Sequence, residues 1–293
     1  MTPAESFDMI WILLPAYNEQ EDLPTLLEKL QRALAGKQYK LVVINDGSTD
    51  KTGEILERSQ EELNLEVVEH PINRGLGETE RDGFEHIAWQ ADDEDFIVRI
   101  EGDDTHEPKY LFELINKLEE GYDVVNTSRF QPGGGQKGVN SYRAFISRSA
   151  NLFMKMLFGI HGVTDYSCGY RAYRASVVKD ALAIYGNNLI QMKGMGFTST
   201  LEIIVKLHMM GCRFGEVPFV LRYDQKRGGS KMIGSITMLG YFTMALLYWW
   251  PFGGWRSQYR GLSEHYRKDP EKAVEAYQLN ALKGRKFPSR INS

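Results

Sequence analysis

Short apolar runs alternate with amphipathic stretches over the first two-thirds of this 293-residue chain. The alternation is typical of β–α units that build a mostly parallel sheet, because strands covered on both faces read as continuous apolar runs. It predicts strands over residues 9–14, 41–44, 65–69, 96–100 and 124–125, helices over residues 22–35, 77–91, 141–158 and 199–210, and a glycine-rich loop over residues 131–138. We therefore expect an α/β fold with a Rossmann-like sheet and flanking helices.

The composition fits a single globular unit with an appendage. Hydrophobic residues make up 42% of the chain and charged residues 25%, which is ordinary for a globular protein. A chain of this length buries roughly three-quarters of the surface that its unfolded state exposes, so a sizeable core can form. No linker rich in serine or proline divides it. We predict a main domain over residues 1–232, an apolar helix over residues 233–253 and a basic helical tail over residues 254–293.

The cysteine content bears on the compartment. Cys168 and Cys212 are the two cysteines of the chain, too few for a disulfide scaffold or a multi-cysteine zinc site. They favour a reducing, cytoplasmic location. Residues 1–7 have no basic cluster followed by an apolar run, so we expect no signal peptide.

Residues 236–252 are almost wholly apolar or aromatic. This length is near the lower limit for a helix that crosses a bilayer. Three interpretations remain open, namely a helix lying in the membrane interface, a buried core helix and a true span. The polar side chains of Thr237, Tyr241, Thr243 and Tyr248 favour the interfacial helix.

The charge of the chain is unevenly distributed. Residues 254–293 contain nine Lys/Arg and four Asp/Glu, a net charge of +5, so the overall charge of −4 leaves −9 for the rest. A basic tail beside an apolar segment predicts attraction to an anionic membrane surface. A solvated helical tail without a partner is the alternative. Because the chain has no nucleic-acid motif, we expect no nucleic-acid partner.

Polar residues follow three of the predicted strands, as Pro15-Ala16-Tyr17-Asn18-Glu19, Asn45-Asp46-Gly47-Ser48 and Glu101-Gly102-Asp103-Asp104. Ligands of open α/β sheets bind outside the carboxyl ends of the strands, so we expect these groups to converge. Glu101 and Asp103 are two residues apart and point the same way in an extended chain. Their oxygens suit Mg²⁺ or Mn²⁺ shared with a diphosphate, and Gly102 lets the backbone approach a ligand closely. A solvated acidic turn is the alternative.

The sequence does not satisfy two other nucleotide-binding motifs. Residues 75–78 lack the third glycine of a dinucleotide fingerprint, and the P-loop spacing at residues 133–138 is followed by Val139-Asn140 instead of Lys and Ser/Thr. Phosphate could instead be bound by the downstream basic residues Arg129, Arg143, Arg148, Arg171, Arg174, Lys226, Arg227 and Lys231. The glycine-interrupted run at residues 226–231 reads as a mobile phosphate clamp or as a solvated loop.

Together, these motifs resemble those of family 2 glycosyltransferases. The matching motifs of the first half are Leu14-Pro15-Ala16-Tyr17-Asn18-Glu19, Asn45-Asp46-Gly47-Ser48-Thr49-Asp50, Asn73-Arg74-Gly75-Leu76-Gly77 and the Glu101/Asp103 pair. The second half is similar to the polyprenyl-phosphate (dolichol-phosphate) mannosyl- and glucosyltransferases, in Ser128-Arg129-Phe130, Gly133-Gly134, Arg143, Ser147-Arg148, Ala150-Asn151, Asp165, Gly169-Tyr170-Arg171, Glu202, Glu216-Val217-Pro218 and Ser230-Lys231. The resemblance runs from about residue 12 to residue 232.

The resemblance implies a GT-A fold, a nucleotide-sugar donor of the GDP-mannose or UDP-glucose type, a polyprenyl-phosphate acceptor and Mg²⁺ or Mn²⁺. The implied nucleotide-binding residues are Pro15, Ala16, Tyr17, Glu19, Asp46 and Gly102, and the implied metal ligands are Glu101 and Asp103. The acceptor phosphate would contact Arg129, Arg143, Ser147 and Lys231, the last of which would also help to close the site. Asp103, Arg129 and Arg143 are the implied catalytic residues.

The chain departs from the family pattern at two positions. Glu101 stands where the acidic motif usually begins with Asp, and Gln225 stands where an arginine usually precedes the closing loop. Glutamate remains a competent oxygen ligand. Lys226 or Arg227 could take over the contacts of the missing arginine with the donor phosphates.

The chemistry of the acceptor separates the functional hypotheses. A phosphate monoester is ionised near neutral pH and needs no general base, so an arginine-rich site suits it. A hydroxyl acceptor needs a carboxylate base, for which Asp165 and Glu202 are candidates, although each also reads as an ion-pair partner. His106 and His161 read as metal ligands or as structural residues. We predict inverting transfer to a polyprenyl phosphate by a peripheral enzyme at the cytoplasmic membrane face. Transfer to a hydroxyl, or a weakened nucleotide- or membrane-binding module, are the alternatives.

Overall fold

The computed structural model describes residues 9–229, 234–250, 253–278 and 287. Its strands are β1 (Ile10–Ala16), β2 (Tyr39–Asn45), β3 (Leu65–Glu69), β4 (Phe96–Arg99), β5 (Val124–Ser128), β6 (Gly135–Lys137), β7 (Arg171–Arg174), β8 (Phe214–Pro218) and β9 (Val220–Arg222). Seven of them form one sheet in the order β3-β2-β1-β4-β7-β5-β8, and β6 pairs with β9 in a second sheet.

The main sheet is parallel except at β7, which runs antiparallel to both β4 and β5. The prediction of a mostly parallel sheet is therefore confirmed. Side chains of β1 alternate between the two faces. Trp11 and Leu13 join one hydrophobic core, whereas Ile12 and Leu14 join the other. The sheet is covered on both faces, which explains why β1 reads as a continuous apolar run.

The α-helices are α1 (Leu23–Ala33), α2 (Thr52–Glu62), α3 (Leu76–Ala88), α4 (Leu111–Glu119), α5 (Ser141–Phe158), α6 (Ala175–Tyr185), α7 (Thr198–Met210), α8 (Gly234–Trp249), α9 (Trp255–Gln258), α10 (Leu262–Lys268) and α11 (Pro270–Tyr277). The predicted bounds of α5 coincide with the observed ones. Asn140 caps its first turn by accepting a hydrogen bond from the Arg143 amide, and Gly159 ends it in the left-handed conformation.

The predicted glycine-rich loop at residues 131–138 contains a short strand. β6 pairs in parallel with β9, and this small sheet lies immediately before the loop of residues 223–229. The pairing brings the region after β5 next to that loop, although the two are far apart in sequence. Both border the cavity described below.

The C-terminal helices are integrated into the core rather than attached as a separate tail. Trp255, Leu262, Tyr266 and Ala273 are buried within the same core as β1 and α3. The Tyr266 hydroxyl donates a hydrogen bond to Asp180 Oδ2 on α6, with an O–O distance of 2.6 Å. The segment up to Tyr277 is helical, and its apolar side is turned to the protein.

Helix α8 has one face buried in the protein and one exposed face. Thr237, Tyr241, Met244 and Tyr248 recur at helical spacing and are buried against the core. Three of the four polar side chains that favoured an interfacial helix therefore face inward, whereas Thr243 is half-buried and donates a hydrogen bond to the Leu239 carbonyl oxygen of its own helix. The opposite face is exposed and apolar. Among the described residues, no helix combines the length and the apolar character needed to cross a membrane.

Candidate functional site

The polar ends of β1, β2 and β4 meet at one edge of the sheet. A β-carbon at Gly102 would lie only 3.0 Å from the Pro15 carbonyl oxygen and 3.8 Å from the Ala16 α-carbon. The Asp46 amide donates to the Ala16 carbonyl oxygen at 2.9 Å. The sequence therefore predicted this convergence correctly, and Gly102 serves the close packing of two strand ends.

A cavity of about 530 Å³ opens at this edge. It brings together most of the residues predicted to act on the metal and the acceptor, namely Glu19, Glu101, Asp103, Arg129, Arg143 and Ser147. Its wall also includes apolar side chains from α5 and α8, among them Ile146, Met154, Met238 and Tyr241. The cavity thus combines an acidic end, two guanidinium groups and an apolar wall.

At the acidic end, Asp103 is paired with Lys226, which the sequence suggested as a contact for the donor phosphates. Lys226 Nζ lies 2.5 Å from Asp103 Oδ2, and the Thr105 hydroxyl donates to Asp103 Oδ1 at 2.6 Å. Burial alone would raise the pKa of Asp103, but Lys226 and Thr105 outweigh it and hold that pKa below its usual value. Asp103 is therefore an ionised carboxylate that already accommodates a cation.

The chemistry of this end fits a hard divalent ion completed by substrate. Within the described part of the chain, no three His, Cys, Asp or Glu side chains are grouped closely enough to hold a metal ion. Two carboxylates on alternate residues could hold Mg²⁺ or Mn²⁺ only with further oxygens, such as those of a diphosphate. The ammonium group on Asp103 indicates that this carboxylate tolerates an adjacent positive charge.

The two histidines considered as metal ligands lie in different surroundings. His106 is buried and stacks on Tyr170 with ring centroids 5.3 Å apart. Its Nδ1 lies 3.3 Å from the Glu101 amide, and burial lowers the pKa of His106 to about 4. The His106 ring is therefore neutral and lines the cavity beside the acidic pair, and a role as a metal ligand stays a prediction for it. His161 lies in an exposed turn after α5 and does not line the cavity.

Arg129, just after β5, is held rigidly. Its Nε and Nη2 donate to Asp165 at 2.7 and 2.8 Å, and Nη2 also donates to Ser167 Oγ at 2.6 Å. Burial opposes the charge of the guanidinium, but Asp165 outweighs burial and raises the pKa of Arg129. Asp165 is thus an arginine partner, one of the two roles left open for it.

Arg143 and Ser147 lie one turn apart on α5. Arg143 is exposed, and its guanidinium lies over the Tyr223 ring at 5.6 Å from the centroid. Arg129 Nη1 lies 3.4 Å from Ser147 Oγ. Because all three residues line the same cavity, the predicted acceptor set is brought together, except for Lys231, which lies outside the described residues.

The predicted nucleotide residues occupy the neighbouring part of the sheet edge. Asp46 accepts hydrogen bonds from the Arg74 and Gly75 amides, both at 2.9 Å, and lies 2.7 Å from His70 Nδ1. Its carboxylate therefore organises the loop before α3. Pro15, Ala16, Tyr17 and Asp46 do not line the main cavity, and their contact with a base remains a prediction.

A second cavity of about 220 Å³ lies beside Glu19 and Asp22. The loop of residues 223–229 closes over it, because Asp22 accepts hydrogen bonds from the Arg227 and Gly228 amides at 2.8 and 2.9 Å. Gln225, in the same loop, is one of the two residues at which the chain departs from the family pattern. Lys29 Nζ donates to Gln225 Oε1 at 3.1 Å and also pairs with Asp104 and Glu107.

Glu202, the other candidate general base, is engaged in contacts outside the cavity. It forms a buried ion pair with Lys206 at 2.6 Å, accepts hydrogen bonds from the Gln191 and Met192 amides, and does not line the cavity. Glu202 is therefore the ion-pair partner that the sequence allowed as an alternative.

The fold and the paired carboxylates are those of a glycosyltransferase with the GT-A fold. The structure is similar to the crystal structure of glucosyl-3-phosphoglycerate synthase from Mycobacterium tuberculosis, with a TM-score of 0.56 and 17% identity, over 82% of this chain and 79% of that one. That protein was crystallised with Mn²⁺ and uridine diphosphate, and also with Mg²⁺ and uridine diphosphate.

The chain belongs to glycosyl transferase family 2, whose sequence profile matches residues 11–182. It is 35% identical over 207 residues to the undecaprenyl-phosphate 4-deoxy-4-formamido-L-arabinose transferase of Shewanella sediminis, covering 69% of this chain and 59% of that protein. It is 31% identical over 226 residues to the undecaprenyl-phosphate mannosyltransferase of Micrococcus luteus, covering 76% of this chain and 87% of that protein. The chain thus spans about three-fifths of the first relative and most of the second.

Proposed function

We propose that this protein is an inverting, metal-dependent glycosyltransferase that moves a sugar from a nucleotide sugar to a polyprenyl phosphate. The observation that carries the proposal is the presence of two carboxylates and two arginines in one cavity. Glu101 and Asp103 lie at one end, and Arg129 and Arg143 lie in the same cavity. The names of the two curated relatives, both undecaprenyl-phosphate sugar transferases, support the same acceptor class.

The acidic end suits the donor. Glu101 and Asp103 would hold Mg²⁺ or Mn²⁺ on the diphosphate of the nucleotide sugar, and the ion would neutralise the charge that develops on the leaving group. Pro15, Ala16, Tyr17, Glu19, Asp46 and Gly102 form the adjoining strand ends and would surround the nucleotide. Lys226, now paired with Asp103, would compete with the metal for this carboxylate and would supply a further positive charge beside the diphosphate.

The basic end suits an acceptor that is already anionic. Arg129 and Arg143 would bind the lipid phosphate and orient one of its oxygens, while Ser147 adds a hydroxyl donor. A phosphate oxygen needs no general base. Within the part of the chain that the structure describes, the carboxylates that line the cavity are Glu19, Glu101 and Asp103, all at the proposed donor end, and Asp165 is engaged by Arg129. This distribution supports a phosphate acceptor over a hydroxyl acceptor.

The acceptor chain would reside in a membrane, and the protein has a surface that suits one. On α5, the exposed apolar residues Tyr142, Phe145, Leu152 and Met156 recur at helical spacing. On α8, they are Leu239, Phe242, Leu246 and Trp249. The two helices touch through Phe153 and Phe242, whose ring centroids are 5.7 Å apart. We call this surface the α5–α8 face.

The α5–α8 face borders the cavity and carries positive charge. Arg148 and Lys155 are exposed on α5, and the Arg256 guanidinium lies 4.3 Å from the centroid of a Trp249 ring. Aromatic and basic side chains together favour the headgroup region of an anionic bilayer. We infer a peripheral protein on the cytoplasmic face of a membrane, with α5 and α8 in the interface and Arg143 at the level of the headgroups.

A donor panel tests the proposed function. The full chain would be incubated with GDP-mannose, UDP-glucose and other nucleotide sugars, a short-chain polyprenyl phosphate and Mg²⁺ or Mn²⁺, and the lipid analysed by mass spectrometry. We expect one donor to give a glycosylated lipid phosphate. Asp103→Asn should lose the product, whereas Asp93→Asn, which removes a carboxylate paired with Lys179 away from the cavity, should keep it. Failure of every donor would contradict the proposal.

A further inference from the structure

A buried arginine connects the acidic end of the cavity to helix α3. Arg99 is the last residue of β4, and its side chain is 1% exposed. Its Nε lies 2.9 Å from Glu80 Oε1, and its Nη1 lies 2.5 Å from Glu101 Oε1. Glu80 is itself buried on α3. The guanidinium therefore bridges two carboxylates, of which only Glu101 lines the cavity.

Burying these charged side chains costs free energy unless each of them keeps its partner. A buried charge is stable only when it is paired and hydrogen-bonded, and removing one partner leaves the others uncompensated. The guanidinium group of arginine stays charged at every pH at which a protein is folded. Arg99 is thus a permanent cation between the two side chains.

The backbone makes room for this bridge. A β-carbon at Gly169 would collide with Arg99 Nη1 and would lie 3.0 Å from Glu101 Oε1. Gly169 therefore allows the guanidinium and the Glu101 carboxylate to meet beside the cavity. Any larger residue at this position would force Arg99 or Glu101 to move.

We infer that Arg99 is a positioning residue, which fixes the Glu101 carboxylate at the metal end of the cavity and is itself anchored from α3 by Glu80. Glutamate has one more rotatable bond than aspartate, so an unrestrained Glu101 would lose more side-chain entropy when it binds a metal. Arg99 occupies one oxygen of Glu101 and so removes much of that freedom in advance. This role rests on the proposed function, in which Glu101 and Asp103 hold the metal.

The test compares Mn²⁺ binding in variants of the full chain. Mn²⁺ affinity would be measured by electron paramagnetic resonance, alone and with UDP or GDP. The double variant Glu80→Gln/Arg99→Met removes the bridge and retains side chains of similar size. It also takes the cation away from Glu101, which by itself would favour Mn²⁺, so a fall in affinity reports the loss of positioning. We expect its Mn²⁺ affinity to fall 10- to 100-fold, the usual effect of removing a group that orients a metal ligand.

A matched control removes another buried ion pair. Glu202→Gln/Lys206→Met deletes a pair of the same kind, at 2.6 Å, that does not line the cavity. It should lower thermal stability and leave Mn²⁺ affinity unchanged, so a general loss of stability is separated from a loss of positioning. In steady-state assays, the Glu80→Gln/Arg99→Met variant should need more Mn²⁺ for half-maximal rate, with little change in the KM of the lipid acceptor.

Gly169→Ala is a second test of the positioning role, because it displaces Arg99 and Glu101 without altering any charge. It carries the test if the double variant does not fold, and it should weaken Mn²⁺ binding in the same way. Wild-type Mn²⁺ affinity in a folded form of either variant would overturn the role of Arg99, even if the proposed function stands. If the unmodified protein binds no Mn²⁺ with either nucleotide and transfers no sugar, the proposed function itself fails.

Discussion

The ammonium group of Lys226 lies 2.5 Å from the carboxylate of Asp103, although the two residues are 123 positions apart in the chain. The pair joins the loop after β9 to the end of β4. The same loop is held to Asp22 through two backbone amides and to Lys29 through Gln225. Lys226 thus occupies, on one carboxylate, the place of the positive charge that a donor–metal complex would bring.

The first prediction follows from this competition. Lys226→Met removes the resident cation, so Mn²⁺ measured without nucleotide should bind about tenfold more tightly, a difference of about 1.4 kcal/mol. The KM of the sugar nucleotide should rise, because a cation near the diphosphate is lost. Lys155→Met, on an exposed part of α5, is the control. Unchanged Mn²⁺ affinity in Lys226→Met would show that the pair does not compete with the metal.

The second prediction concerns the acceptor. Arg143→Ala should raise the KM of the lipid phosphate roughly 10- to 150-fold, since a charge-assisted hydrogen bond contributes about 1.5–3 kcal/mol. The KM of the sugar nucleotide should change little. Arg148→Ala, on the same helix but outside the cavity lining, should behave as wild type with a short-chain acceptor. Equal effects of Arg143→Ala on both substrates would remove Arg143 from the acceptor site.

The third prediction concerns the α5–α8 face. Deleting the chain from residue 236 would strip Trp255 and Leu262 from the core, so point substitutions are the sharper test. Phe145 is 69% exposed and Phe242 is 55% exposed. Phe145→Ser/Phe242→Ser should weaken binding to phosphatidylglycerol-containing vesicles at least tenfold, because burying each ring contributes roughly 1.5–3 kcal/mol.

Ile72 provides the control for this measurement, since it is 69% exposed but lies away from α5 and α8. Ile72→Ser should leave vesicle binding unchanged. High salt should release part of the wild-type protein, because it screens the basic residues. Vesicle binding that is equal in the double variant and the wild type would contradict the assignment of this face.

The fourth prediction uses the contact between the C-terminal helices and α6. Burial raises the pKa of Asp180 to about 6, although the Tyr266 hydrogen bond opposes the rise. A raised pKa in the folded state favours the protonated form, so this contribution to stability is complete below about pH 4 and is lost as the pH rises to about 6. The free energy of unfolding of the wild type should fall by about 2 kcal/mol over this range relative to Asp180→Asn. Parallel pH profiles of the two proteins would contradict this prediction.

Much of the fold follows from local sequence patterns. Buried strands such as β1 and β2 read as apolar runs, and their parallel arrangement brings their carboxyl ends together. β7 was missed because two of its four residues are arginines, and its antiparallel direction depends on the neighbouring strands. The two faces of α8 were also missed, because an apolar stretch does not reveal which polar residues point inward.

The site residues that belong to sequence motifs were predictable, whereas the partners that the tertiary structure brings to them were not. The Glu101/Asp103 pair and the grouping of Arg129, Arg143 and Ser147 were expected. The partners of these residues were not, since Lys226 reaches Asp103 through the conformation of a distant loop. Arg99 lies in an otherwise apolar strand, and that single charged residue was the available signal for the bridge to Glu80.

The most direct test of the central claim compares two acceptors that differ only in the phosphate. The active donor, with Mg²⁺ or Mn²⁺, would be offered a short-chain polyprenyl phosphate or the corresponding polyprenol, and the lipid products quantified by mass spectrometry. The account predicts transfer to the phosphate, no transfer to the alcohol, and loss of transfer in excess chelator. Transfer to the alcohol at a comparable rate, or full activity in chelator, would contradict it.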